Sequence, residues 1–362
     1  MPIKFSKSKT LPVGVDLGTS MVKLAQLRLT EEKMELIAAG AVAIPAAFHR
    51  HLPARMDFLS KAIRQIFRNN QFKGAQSILS IPAEMTVVQH IRLPKLPREE
   101  TIKAIHMELQ GKLPFAVDDA VIRHIVAGEV FGDGDPKQEV VVVAVARQTI
   151  DNYLAMAAKA KLDVIGINIE ACAVVACFSR LFRRASDADR AVLFLDIGDS
   201  STQVVLSRGD KIAFARNLPL GGMQLDQAVA DGLHIPLEQA HSMRVDMLKG
   251  GSQSDNQDQL YRLLDRPVDL LADELTQCLR YYESVFRNQG VERAIFVGGQ
   301  AYDKRLCQAI AQRLNLPAQI GDPLLRIDRM CGAGLEIGLD RREPQPDWAV
   351  AIGLSLGAER AA

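Results

Sequence analysis

The plainest pattern along the chain is a run of apolar positions broken by a short polar turn. In VGVDLGTSMVKLAQL, Val13 to Leu27, two apolar stretches flank Asp16, Gly18, Thr19 and Ser20, which predicts a strand, a tight turn and a second strand. After the polar TEEK, the segment MELIAAGAVAIP supplies a third strand. Phe58, Leu59, Ile63, Ile66 and Phe67 then recur at helical spacing and predict a helix from Arg55 to Asn69.

A different section follows. AQSILSIP reads as a strand, REETIKAIHMELQGKLP as a helix and AVIRHIVAGEV as a strand. A Gly/Asp-rich turn, FGDGDPKQ, leads to the β-branched strand EVVVVAVA and the helix QTIDNYLAMAAKAKL. These elements predict a compact α+β module over 75–163. Strand text resumes at DVIGINI, followed by the helix EACAVVACFSRLFRR and the polar linker ASDADR. The remainder alternates strands with a long, mostly helical stretch that KGGSQSDNQDQ interrupts as a loop. RAIFVGGQ precedes the helix AYDKRLCQAIAQRL, and DWAVAIGLSLGAE closes as a helix.

The opening hairpin recurs. DLGTSMVKLAQL from Asp16 and DIGDSSTQVVLS from Asp196 share Asp, Gly and Ser at the same three offsets, 180 residues apart. Two copies of one hairpin predict two pseudo-equivalent halves. The residue types suit phosphate. Gly18 and Gly198 let the backbone turn tightly, and Thr19, Ser20, Ser200, Ser201 and Thr202 offer hydroxyls beside turn amides that form an anion-binding concavity. Asp16 and Asp196 repel a polyphosphate unless Mg²⁺ and its waters lie between. Lys23 points a cation along the same strand. Gly298-Gly299, followed by Gln300, lets backbone approach a base or ribose, and Gly221-Gly222 opens a helix whose N–H groups favour an anion.

Composition adds limits. Net charge is +1 and apolar content 48%, an ordinary globular balance with no general affinity for nucleic acid. No run of 18 apolar residues occurs, and the beginning of the chain lacks a signal-peptide core. The five cysteines form no CxxC pair and read as reduced core thiols, which suits the cytoplasm. Lys4, Lys7 and Lys9 form a short basic tail. GxxxxGK[ST] is absent, and CGAGLEIG reads as a turn and helix start rather than a dinucleotide site.

Hairpin, connecting helix, second hairpin, adenosine motif and closing helix, in that order, resemble the actin-like ATPase superfamily. Within it the chain is similar to the type IV pilus assembly protein PilM family. The match rests on GVDLGTSMVKLAQL with its lysine, ELQGKLPFAVDDA, NLPLGGMQLDQAV and IFVGGQA. The resemblance implies an actin-like (ribonuclease H-like) two-lobed α/β fold. Its first lobe would cover 1–74, 164–190 and 345–362, an inserted subdomain 1C 75–163, and the second lobe 191–344. It also implies ATP with Mg²⁺ between the lobes, with Asp16 and Asp196 acting on the metal through water. The expected role is a cytoplasmic adaptor, peripheral at the inner membrane, that holds the N-terminal peptide of a PilN-like membrane protein in a groove involving subdomain 1C. Self-association stays open, and any hydrolysis would be slow. Three positions depart from the family pattern: Asp199 is charged, Gln203 stands where the first copy has Lys23, and Asn168 stands where the family often has an acid. Glu170 then remains as the candidate to orient an attacking water, or as a carboxylate stabilised at a helix N-terminus. The alternatives are an FtsA-like filament protein and a small-molecule kinase of the same superfamily.

Overall fold

The computed structural model describes residues 8–31, 33–49, 51–130, 136–181, 190–248, 254–286, 290–329, 339 and 343–357. The basic tail through Lys7, most of the linker ASDADR, the glycine-rich turn at 131–135 and CGAGLEIG lie outside them. The chain divides into two compact units, 1–184 with 322–362, and 185–321.

In unit 1 the chain forms β1 (Lys9–Leu17), β2 (Met21–Leu29), β3 (Met34–Ala43) and α1 (Leu52–Asn69), then β4 (Gln76–Ile81). Next come β5 (Val87–Pro94), α2 (Arg98–Leu109), β6 (Ala120–Val130), β7 (Lys137–Ala146) and α3 (Arg147–Lys159). β8 (Asp163–Ile169) and α4 (Glu170–Ser179) complete this part. β1 to β3 alternate antiparallel, whereas β4 and β8 add in parallel beyond β1. The helix α1 makes the crossover that a parallel neighbour demands. Its Leu59, Ala62, Ile63 and Ile66 are buried against Val13, Val15, Leu24 and Leu79. β5, β7 and β6 form a separate three-stranded antiparallel sheet, with β6 at its edge. α2 covers one face through Ile105 and Leu109, packed on Ile91, Leu93, Val140 and Val142.

Unit 2 runs β9 (Ala191–Ile197), β10 (Thr202–Arg208), β11 (Lys211–Leu218), α5 (Gly222–Leu233), α6 (Leu237–Leu248), α7 (Ser254–Val285), β12 (Val291–Val297), α8 (Lys304–Leu314) and β13 (Ala318–Ile320). Its sheet order, β11-β10-β9-β12-β13, repeats β3-β2-β1-β4-β8 strand for strand. The repeat extends to register: Asp16 faces Lys23 across the first hairpin, and Asp196 faces Gln203 across the second. α7 starts at Ser254, inside the polar stretch that reads as a loop. Gln257 to Gln259 lie on its outer turns, so polarity there marks exposure and not irregular backbone.

The chain then returns to unit 1 as β14 (Ile327–Arg329), parallel to β3, and α9 (Ala349–Leu356). α9 is apolar all round, and every residue from Ala349 to Ser355 is buried, as expected of a helix enclosed by protein. It packs on β1, β2 and α4. Ser355 donates to the Pro12 carbonyl at 2.7 Å and accepts from the Leu27 amide at 3.2 Å. Gly353 sets the approach to α4: a Cβ there would stand 1.9 Å from the Ala173 carbonyl oxygen. Gly353→Ala therefore forces two backbones apart and should cost about 2–3 kcal/mol or more, measurable as a lower urea midpoint with unchanged slope.

Candidate functional site

In unit 1 the site begins at the β1–β2 turn. Asp16 and Lys23 are each only 7% exposed. Lys23 Nζ lies 2.9 Å from the Asp347 carboxylate and donates to the Asp347 carbonyl at 2.8 Å. Asp347 belongs to the 3₁₀ turn Pro346–Trp348 that leads into α9. The ammonium expected to run toward a phosphate tail is here engaged by a residue 324 positions away. Burial pushes the Asp16 carboxyl up from 3.8 to about 6. The Lys23 charge acts against this, Asp347 reinforces it, and bonds from Ser80 and the Gly18 amide favour ionisation.

Beneath the turn lies Arg55 of α1, 1% exposed. Its guanidinium donates to the carbonyls of Leu17 (3.4 Å), Gly18 (2.6 Å) and Thr19 (3.0 Å). A trans peptide directs its C=O and the next N–H to opposite sides, so the amides of Gly18, Thr19 and Ser20 face away from Arg55. The Gly18 amide is bonded to Asp16. The amides of Thr19 and Ser20 point to the same side, in the manner of an anion-binding turn. The Leu17 amide donates to the buried Ser80 hydroxyl at 2.9 Å and fixes the foot of the turn.

In unit 2 the same turn is held by different means. The first amides of α5, Gly222 and Met223, donate to the carbonyls of Gly198 (3.0 Å) and Asp199 (2.8 Å). By the same peptide geometry the amides of Asp199 and Ser200 face outward. The helix start expected to bind an anion directly is thus committed to shaping the turn. Gly221 makes this possible, since a Cβ there would lie 2.7 Å from the Ser201 nitrogen. The Gly198 amide closes on the Ser201 carbonyl at 2.9 Å. Thr202 is fully buried, and its hydroxyl donates to the Leu220 carbonyl at 2.6 Å, so it braces the turn from inside.

The end of β12 meets this turn. Gly298 has φ +85°, and a Cβ there would fall 2.4 Å from Asp196 Oδ1, so only glycine fits on both counts. Gly299 and Gln300 begin the 3₁₀ turn Gly299–Tyr302, where nothing lies within 4 Å of a Cβ built on Gly299. Gln300 Oε1 accepts from Arg244 Nη2 at 2.6 Å. Arg244, buried on α6, also donates to the Gly222 carbonyl at 3.1 Å and to Asp226 Oδ1 at 2.6 Å. Asp226 Oδ2 is 2.7 Å from His241 Nδ1. No motif announced Arg55 or Arg244, and NLPLGGMQLDQAV, which contains Asp226, drew attention to its glycines and not to this carboxylate.

Glu170 is the first residue of α4, half-buried, in the position a helix dipole favours for an acid. Among the described residues no group of three His, Cys, Asp or Glu side chains could ligate a metal directly. One carboxylate per turn, Asp16 in one unit and Asp196 in the other, fits a metal that keeps its water shell.

A separate cavity of about 410 Å³ opens within unit 1. Its lining includes Val121, Arg123 and Ile125 of β6 together with Ile167 and Ile169 of β8. Both β6 and β8 are edge strands of their sheets.

A family model described as type IV pilus assembly protein PilM matches residues 14–359. Among solved structures, the chain is similar to the PilM-PilN type IV pilus biogenesis complex, at 20% identity and a TM-score of 0.78, covering 95% of this chain and 97% of that one. The ethanolamine utilization protein EutJ from Carboxydothermus hydrogenoformans is similar at 15% identity and a TM-score of 0.55, covering 96% and 89%. MreB5 of Spiroplasma citri bound to ADP is similar at 11% identity and a TM-score of 0.51, covering 96% of each chain. These similarities bear on the fold, which is the actin-like one. No curated protein matches the sequence.

Two outcomes follow from the unit 1 geometry. Asp16 ionises near 6 when folded and near 3.8 in its ordinary state, so between these values the folded chain holds more protons and stability falls as pH rises. Asp16→Asn should therefore be the more stable protein at pH 7.5, by about 1–3 kcal/mol, with the difference vanishing toward pH 4 in denaturant titrations. Arg55→Met strips three turn carbonyls of their donor and should cost about 2–4 kcal/mol, read as a lower thermal midpoint at every pH.

Proposed function

Because the chain belongs to the type IV pilus assembly protein PilM family, we propose that it is a nucleotide-binding adaptor which captures the N-terminal peptide of a PilN-like inner-membrane protein from the cytoplasmic side. The observation that carries the partner half of this reading is the 410 Å³ cavity flanked by two edge strands. An edge strand offers unpaired backbone N–H and C=O groups to an extended peptide, and apolar walls such as Ile125, Val143 and Ile169 take alternate side chains. The fold similarity to the PilM-PilN complex supports the same assignment. Among the described residues no helix is long and apolar enough to cross a membrane, so in this reading the membrane is reached through the partner.

The nucleotide half rests on the paired turns. Asp16, Gly18, Thr19 and Ser20 in one unit, and Asp196, Gly198, Ser200 and Ser201 in the other, are the groups that would take the phosphates of ATP. Asp16 and Asp196 would act on Mg²⁺ through its waters. Gly298, Gly299 and Gln300 would accept the nucleoside. Bound Mg²⁺ would neutralise phosphate charge, and its field would draw the Asp16 carboxyl back to the ionised form. Glu170 is the candidate for orienting water, and slow turnover is the expectation where positioning and electrostatics carry the reaction.

Calorimetric titration tests both halves. Ile125→Glu places a charge in the groove and should weaken the PilN-like peptide by about ten-fold or more, leaving Mg-ATP affinity intact. Asp16→Ala and Asp196→Ala should each weaken Mg-ATP and spare the peptide. Peptide binding that ignores Ile125→Glu would place the partner elsewhere. Folded wild type with no affinity for Mg-ATP would reduce the turns to scaffold.

A further inference from the structure

The three-stranded module carries a second cavity, which shares Val121, Arg123 and His124 of β6 with the first and is otherwise lined by residues that neither half of that reading uses. It measures about 860 Å³ and is lined by Arg98 and His106 of α2, Arg123 and His124 of β6, Arg147 of α3, and Asp118. Three guanidinium groups thus meet one carboxylate. Among the described residues none of the three arginines forms an ion pair, and Arg123 donates only to its neighbouring Ile122 carbonyl, at 2.8 Å. Two of them stand where a cation is least welcome. Arg98 is the first residue of α2 and Arg147 the first of α3, at the positive end of each helix dipole. Neither helix has a side-chain N-cap, and α3 has no acid in its first turn. α2 does carry Glu99 and Glu100 there, but neither lines the cavity. Burial and the Arg98 charge hold the His124 pKa below its ordinary value, so the positive field extends to the cavity wall.

All three arginines are exposed, so water moderates their repulsion; what they offer an anion is three charge-assisted donors around one space, none committed to an ion pair among the described residues. The remaining wall is apolar: Ile102, Ile105, Val117 and Ile122. A space of this size suits a small ligand with a phosphate at one end and a less polar body at the other. We propose that this cavity binds a soluble phosphorylated small molecule, its phosphate held by Arg98, Arg123 and Arg147 and its body resting on Ile102 and Ile122.

The test is calorimetric titration of the full chain with inorganic pyrophosphate. EDTA is included so that no divalent cation is available to the aspartate turns. Wild type is compared with Arg98→Gln/Arg147→Gln and with Asp196→Ala. Wild type and Asp196→Ala should bind alike, and the double variant about ten-fold more weakly or worse, with a thermal midpoint no lower than wild type. Pyrophosphate binding that survives in the double variant, or that disappears in Asp196→Ala, overturns the assignment. So does a wild type that ignores pyrophosphate yet sediments with phosphatidylglycerol vesicles through these arginines, since the face would then serve a lipid surface.

Discussion

Each unit's glycine turn depends on one constraint: its carbonyls must be held from behind by positive charge. In the first unit that charge is the buried guanidinium of Arg55, spread over three carbonyls. In the second it is the N-terminus of α5, whose first amides take the carbonyls of Gly198 and Asp199. Peptide planarity does the rest, because a fixed carbonyl fixes the direction of the next amide. Two unrelated devices therefore produce the same arrangement of donors. Each also sets a partial or full positive charge under the place where anionic groups would sit, which strengthens those donors without adding a side chain to the surface.

The same principle explains which parts of the site were legible in the chain. Asp16-x-Gly18 and Asp196-x-Gly198 were visible because the chemistry and its turn occupy consecutive residues. Their shared offsets carried the duplicated strand order with them, down to the pairing of Asp196 with Gln203 where Asp16 has Lys23. Arg55 was invisible in this sense. It stands in the first turns of a helix whose apolar spacing accounts for every neighbour, and its carbonyl partners lie some 36 to 38 positions earlier. Arg244 sits in a helix in the same way. The Lys23–Asp347 pair joins the second strand to a turn before the last helix, a distance that periodicity does not report.

Strand text shows that a segment is extended but not which strands end a sheet. AVIRHIVAGEV and DVIGINI looked like any other half-buried strands. Their significance comes from position, since β6 and β8 are left at the edges of two different sheets with apolar side chains between them. Polarity misled once, at SDNQDQ, where the first turns of a 32-residue helix read as a loop; the preceding KGGSQ lies outside the described residues.

The placement of α9 has a consequence for how the protein comes to exist. A chain made from its N-terminus holds β1 exposed for some 330 residues before the helix that covers it has been synthesised. Unit 2, by contrast, is one uninterrupted segment and has all its parts while α9 is still unmade. The duplicated halves are therefore unequal in time: the later one in sequence can mature first, and the earlier one waits, with its apolar sheet in need of shelter, until the last helix arrives.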